Sequence, residues 1–114
     1  MKKILIVDED GAWQNQLSRE LKDKATVICA YDFFQAADLF LSTPDLAAIV
    51  VDSTLHTEEL STIPLVRLYR ICFLGPIIGV ASKEEYRQKL KEAGCDFQFD
   101  KLELSEKLVQ VLGL

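Results

Sequence analysis

The chain has 114 residues, which fits one domain, 1–114, with a sizeable buried core. Apolar residues make up 49% of it, which argues against disorder, and no apolar run approaches the ~20 residues of a membrane span. The formal net charge of −5 argues against nucleic acid as a direct ligand, because phosphate backbones need a basic face.

In chain order, a first strand is predicted over residues 3–7, where Ile4-Leu5-Ile6-Val7 runs into Asp8-Glu9-Asp10. A helix over 12–23 follows, with Trp13, Leu17 and Leu21 at i, i+4 and i+8 as its inner stripe. Residues 26–30 read as a second strand. The second helix is expected from about Phe33 to Leu41, capped by Asp32, with Phe33, Ala37 and Phe40/Leu41 facing the core and Pro44 beyond its end. A third strand over 46–51 closes on Asp52. Residues 53–61 are polar and read as a loop. Thr62 is the expected cap of a third helix that carries Pro64 in its first turn and reaches about Phe73. A fourth strand is expected over 76–81. The fourth helix, 83–93, is polar apart from Tyr86, Leu90 and Ala93, with Gly94 as its left-handed cap. A fifth strand over 97–100 stops at Lys101. Ser105 is the expected cap of a last helix ending near Leu112.

Apolar strands alternating with helices indicate an α/β fold with a parallel sheet covered by helices on both faces. Five such units with short connections suit a doubly wound, flavodoxin-like sheet in the order 2-1-3-4-5. Its ligand site lies at the C-terminal ends of strands one and three, where the winding reverses. Asp8, Glu9 and Asp52 fall there and would share a small volume. Like charges that close raise one another's pKa or recruit a cation. Mg²⁺ suits such a set, with the backbone carbonyl of Thr54 as a further ligand. An aspartate there can attack a phosphoryl group and form an acyl phosphate, with Lys101 neutralising the transferred oxygens. No glycine-rich phosphate cradle follows the first strand.

The three cysteines, Cys29, Cys72 and Cys95, are scattered and read as reduced thiols in or near a cytosolic core. Met1-Lys2-Lys3 precedes only four apolar residues, so no signal peptide is expected and the location implied is cytoplasmic.

Val7-Asp8-Glu9-Asp10 after a Lys-Lys-Ile-Leu-Ile strand, Asp52 closing Ala-Ile-Val-Val, and Ala93-Gly94-Cys95-Asp96 before a strand ending at Lys101 resemble the receiver domain of bacterial response regulators. The resemblance covers essentially the whole chain, in order and spacing. It implies that Asp8 and Glu9 hold Mg²⁺, that Asp52 accepts phosphate from a histidine kinase or phosphotransfer protein, and that Lys101 contacts the phosphate. It also implies that the surface of helix four, strand five and helix five docks a downstream protein, a fused effector or a second copy. The chain is at most a catalyst of its own phosphorylation and dephosphorylation.

The chain departs from that family's pattern in four places, one of them a dipeptide. Ala81 stands where a threonine or serine hydroxyl is usual, with Ser82 one step later as the candidate displaced hydroxyl. Gln98 replaces the switch aromatic, and Leu102 replaces a proline with a cis bond, so a trans Lys101–Leu102 bond is expected. Leu55-His56 replaces Met-Pro. These losses keep open a pseudo-receiver, an interaction module that phosphate does not switch. A haloacid dehalogenase-like phosphatase is a third reading, with Asp8 as nucleophile and Asp10 as acid/base, although it leaves Asp52 unexplained. Asp10 otherwise reads as a helix cap, His56 as an exposed loop residue, and Trp13 as helix packing near the site.

Overall fold

A computed structural model describes all residues 1–114. The apolar runs form five parallel strands, β1 (Lys2–Val7), β2 (Ala25–Ala30), β3 (Leu46–Asp52), β4 (Ile77–Val80) and β5 (Phe97–Phe99). They lie in one sheet in the order β2-β1-β3-β4-β5, as expected. Between them run α1 (Gly11–Glu20), α2 (Phe33–Ser42), α3 (Ile63–Cys72) and α4 (Glu84–Ala93), and α5 (Leu104–Leu112) closes the chain. No helix is long and apolar enough to cross a membrane.

Side chains alternate across a strand, so each central strand feeds two cores. Leu5, Val7, Ile49, Val51 and Ile77 pack with Val66, Tyr69 and Leu90, under α2, α3 and α4. Ile4, Ile6, Val50, Ile78 and Val80 pack with Leu17, Leu21, Leu104 and Leu108, under α1 and α5. With both faces covered, β1 and β3 read as continuous apolar runs.

The caps expected at Asp10 and Asp32 form, and other helix details differ where side chains compete locally. The carboxylate of Asp10 caps α1, accepting from Trp13 N at 3.0 Å, and Asp32 caps α2 from Gln35 N at 2.7 Å. α1 stops at Glu20, because Leu21 drops into the core as its C-cap and donates its N–H to Leu17 O. The inner face of α2 is Ala36, Leu39 and Phe40, while Phe33 and Leu41 are exposed. Tyr69 sets that rotation: its hydroxyl donates to Ala36 O at 2.7 Å and its ring lies 4.8 Å from Phe40. Thr62 sits at the start of α3 but makes no side-chain cap; its hydroxyl donates instead to Asp52 O at 2.7 Å and to Ser53 O at 3.2 Å. Ser105 does not begin the last helix. Asp100 and Glu103 form a reciprocal capping box over a 3-10 turn, Lys101–Glu103, which leads straight into α5. All three cysteines are free thiols, with Cys72 exposed and Cys95 buried, where desolvation pushes its thiol up to about 12.

Gly79, in the middle of β4, lets α4 approach the sheet. A Cβ there would lie 2.9 Å from Leu90 Cδ1 and 3.2 Å from Cys95 Sγ. Gly79→Ala is therefore expected to lose about 1–3 kcal/mol by overpacking, read as a lower urea midpoint at unchanged slope. An unchanged midpoint would show that α4 does not need this close approach.

Candidate functional site

Parallel pairing aligns Val7 of β1 with Val51 of β3, so the next residues, Asp8 and Asp52, leave the sheet side by side. Asp8 is almost fully buried. Its Oδ1 accepts from Asp10 N at 2.8 Å. Its Oδ2 lies 2.8 Å from Lys101 Nζ, yet this buried oxygen accepts no well-directed hydrogen bond. Lys101 Nζ is also 3.9 Å from Asp52 Oδ2. Burial, and then the neighbouring Asp8 charge, push the Asp52 carboxyl up to about 7, with Lys101 pulling the other way.

The backbone around the pair is fixed by bonds that cross strand ends. Asp8 N donates to Ala30 O, Ser53 N to Val80 O and Ala81 N to Phe99 O. Gln14 contributes a tie that sequence reasoning missed. It is fully buried, and its amide Nε2 lies 2.9 Å from Asp8 O and 3.0 Å from both Ile6 O and Ala30 O. The signal was present: Gln14 stands three residues before Leu17 and seven before Leu21, on the same buried stripe.

Asp52, Thr54, Ala81, Ser82 and Lys101 line one open cleft of about 350 Å³. The structure therefore gathers Asp8, Asp52 and Lys101, with Ser82 and Thr54 at the same cleft. Glu9 goes elsewhere. His56 N–H donates to Glu9 Oε1 at 2.8 Å, and His56 Nδ1 lies 3.3 Å from Oε2. His56 holds this position with φ of 58° and with its Nε2 at 2.8 Å from Tyr31 O. The acids at the cleft thus converge as a pair, and no three His, Cys, Asp or Glu side chains gather as a ligand set.

The departures at the neighbouring strand ends also take definite positions. Ala81 is buried, whereas Ser82 is exposed. Arg87 Nη1 donates to both Ala81 O and Ser82 O at 2.9 Å, fixing that loop. Gln98 turns its amide onto Cys95 O at 3.0 Å. Every peptide bond is trans, Lys101–Leu102 included, as expected. Trp13 does more than pack: the Lys101 ammonium lies over its ring, 4.5 Å from the centroid.

No protein-family model matches the chain, and no curated protein matches it. Solved structures do. A two-component response regulator from Clostridium difficile superposes with a TM-score of 0.84 at 21% identity, over 98% of this chain and 95% of that one. The chain has the fold of response regulator receiver domains. The Vibrio cholerae chemotaxis protein CheY4 is similar at TM-score 0.78 and 21% identity, covering 99% of this chain and 97% of that one. A DrrB receiver domain activated with BeF3 gives 0.77 at 21%, covering 100% and 99%.

The raised Asp52 pKa has a stability signature. An unfolded Asp ionises near ~3.9, whereas Asp52 keeps its proton in the fold to about 7. Between these values the folded state binds more protons, so stability falls as pH rises. Without added metal, Asp52→Asn is expected to melt about 5 °C above the wild type at pH 8, with the gap closing toward pH 4. A gap that stays constant with pH would contradict the buried acid pair as its cause.

Proposed function

We propose that the 114-residue chain is a receiver domain of a two-component phosphorelay, in which Asp52 accepts a phosphoryl group from a phosphohistidine of a histidine kinase or phosphotransfer protein. The observation that carries this reading is the acid pair itself. Asp8 and Asp52 stand at the switch point of the sheet under one ammonium, in the fold of receiver domains. A buried Asp8 carboxylate whose Oδ2 accepts no hydrogen bond, beside a partly buried Asp52 with a raised pKa, is a chemical fit for a hard divalent cation. Mg²⁺ takes one or two carboxylates and fills its other positions with waters and phosphate oxygens. Asp8, Asp52 and the Thr54 carbonyl would hold it, with Glu9 joining from its present pairing with His56 or acting through water. When bound, the ion offsets the charge of the two carboxylates and of the incoming phosphoryl oxygens.

In the transfer, an Asp52 carboxylate oxygen attacks phosphorus, the P–N bond to the donor imidazole breaks, and the leaving nitrogen keeps the electron pair and takes up a proton from solvent. Lys101 balances the charge gathering on the phosphoryl oxygens. Ser82 stands at the mouth of the cleft, where its hydroxyl can meet the product. Asp10 has no part in this, because its carboxylate caps α1; that placement weighs against the phosphatase reading.

The pseudo-receiver remains a second reading of the output, favoured by a specific observation. The buried Ala81 methyl cannot bond a phosphoryl oxygen, and the Gln98 amide is occupied by Cys95 O. Partner docking, whether of a downstream protein, a fused effector or a second copy, is assigned to the α4–β5–α5 surface. There the stacked Phe97 and Phe99 rings stand on the α5 side of β5, with the Lys107 ammonium 5.8 Å from the Phe99 centroid. The setting is the cytoplasm, where phosphohistidine donors act.

Acetyl phosphate with Mg²⁺ is expected to add one phosphoryl mass to the wild type, none to Asp52→Asn, and one to Ser82→Ala. An adduct mapped to Asp8, or hydrolysis of phosphate esters, would favour the phosphatase. No adduct and no stabilisation by Mg²⁺ would leave the pseudo-receiver.

A further inference from the structure

We propose that Trp13 is a positioning residue for Lys101, and that filling the Asp52 site draws the ammonium off the indole and reshapes the groove between α1 and α5. This rests on the reading of Asp52 as phosphoacceptor and names how occupancy of that site is read elsewhere on the molecule.

The ammonium has three neighbours: Asp8 Oδ2 at 2.8 Å, Asp52 Oδ2 at 3.9 Å and the Trp13 ring centroid at 4.5 Å. The Asp8 contact attracts the charge but lacks the alignment of a hydrogen bond, so it does not aim the group. A lysine stem is flexible and a free ammonium is strongly hydrated. The side chain is 33% exposed, so it has a route to solvent. The indole face limits that freedom, attracting the cation through its quadrupole at 4.5 Å from the ring centroid. Both anchors of this arrangement are rigid. Trp13 lies one turn into α1, with its N–H held by the Asp10 cap, and Lys101 opens the turn locked by the Asp100–Glu103 capping box.

Lys101 is also a common wall. On one side it lines the cleft that holds Asp52 and Ser82. On the other it lines a groove of about 160 Å³ with Trp13, Leu17, Glu20, Leu102 and Ser105. A phosphoryl group turns the Asp52 carboxylate into an acyl phosphate that carries about two negative charges, spread over oxygens on the cleft side. The ammonium, 3.9 Å from Asp52, moves toward them and leaves the ring. The groove then loses the cation from its wall and gains an uncovered indole face beside the exposed Leu102. The positions that would otherwise link the site to the surface do not do so here, since Ala81 has no hydroxyl and Gln98 is tied to Cys95 O. The Lys101–Trp13 contact is a direct physical link between the acid pair and a surface feature.

The test uses the intact chain, with beryllofluoride and Mg²⁺ as the occupant and acetyl phosphate as the donor. Trp13→Leu is expected to slow phosphorylation roughly 3- to 10-fold, and Trp13→Phe, which keeps an aromatic face, to restore most of the rate. Melting temperatures confirm that both variants fold. The Lys101 Hε protons should resonate upfield in the free wild type under the indole ring current. They should return to ordinary shifts in Trp13→Leu, and in the wild type once a bound fluoride signal shows the site filled. A filled site with unmoved Lys101 shifts, or Trp13→Leu phosphorylated at the wild-type rate, overturns the proposal and leaves Asp52 as acceptor. Absence of both bound fluoride and acyl phosphate in the wild type overturns the acceptor reading and this proposal with it.

Discussion

Two carboxylates emerging side by side from neighbouring parallel strands, with one ammonium between them, form the constraint on which the rest of the site depends. Their spacing comes from the sheet, because the Val7–Val51 register leaves Asp8 and Asp52 no freedom to separate. Adjacent strands run about 4.8 Å apart, and both are buried on each face. The repulsion is therefore held in place by apolar packing far larger than itself. Side chains on a loop would relax away from one another. At the ends of β1 and β3 they can only take up a proton, a lysine or a cation.

Much of this was legible because strand ends are a positional code. An apolar run that stops on a charge puts that charge at the C-terminal edge, and the winding order decides which edges meet. Asp8 and Asp52 follow from those two facts, and Lys101, past the end of β5 with β4 between, reaches them with its long stem. Glu9 does not, because its direction is set by His56, 47 positions away in sequence, whose backbone N–H claims the carboxylate. Trp13 over Lys101 is likewise a pairing between the first helix and the last turn, which no local pattern encodes. The helix errors have a different origin. Thr62 and Ser105 both have good capping chemistry, but Thr62 found carbonyls of the preceding loop, and Asp100 with Glu103 started the final helical segment first. Capping preference ranks candidates, and tertiary partners choose among them.

Gln14 shows how a polar residue can belong to the core without spoiling it. Its amide reaches three carbonyls at the ends of β1 and β2, joining α1 to the strand that delivers Asp8. Polar groups are buried when bonded, and here Nε2 supplies the bonds at the root of the site while Oε1 is left without a partner. The first turn of α1 thus serves the site from both sides. Gln14 holds the backbone of Asp8 from within, and Trp13, the residue before it, faces the lysine that balances the charge of Asp8.

The acid pair also explains why chemistry and transmission can separate in such a fold. Accepting a phosphoryl group requires charges placed by the sheet, and those lie at strand ends that packing cannot easily alter. Passing the event outward requires side chains that change partners, and those stand on loops and edges where substitution costs little. At the strand ends beside the acids, Ala81 bonds through its backbone N–H to Phe99 O, and Gln98 of β5 pairs with Gly79 of β4. An occupant that relieves the Asp8–Asp52 repulsion binds only the folded state and so stabilises it by mass action. Any side chain that shares its charge with the pair must then respond. Lys101 shares that charge already, which makes the lysine the first group to respond to any occupant of the pair.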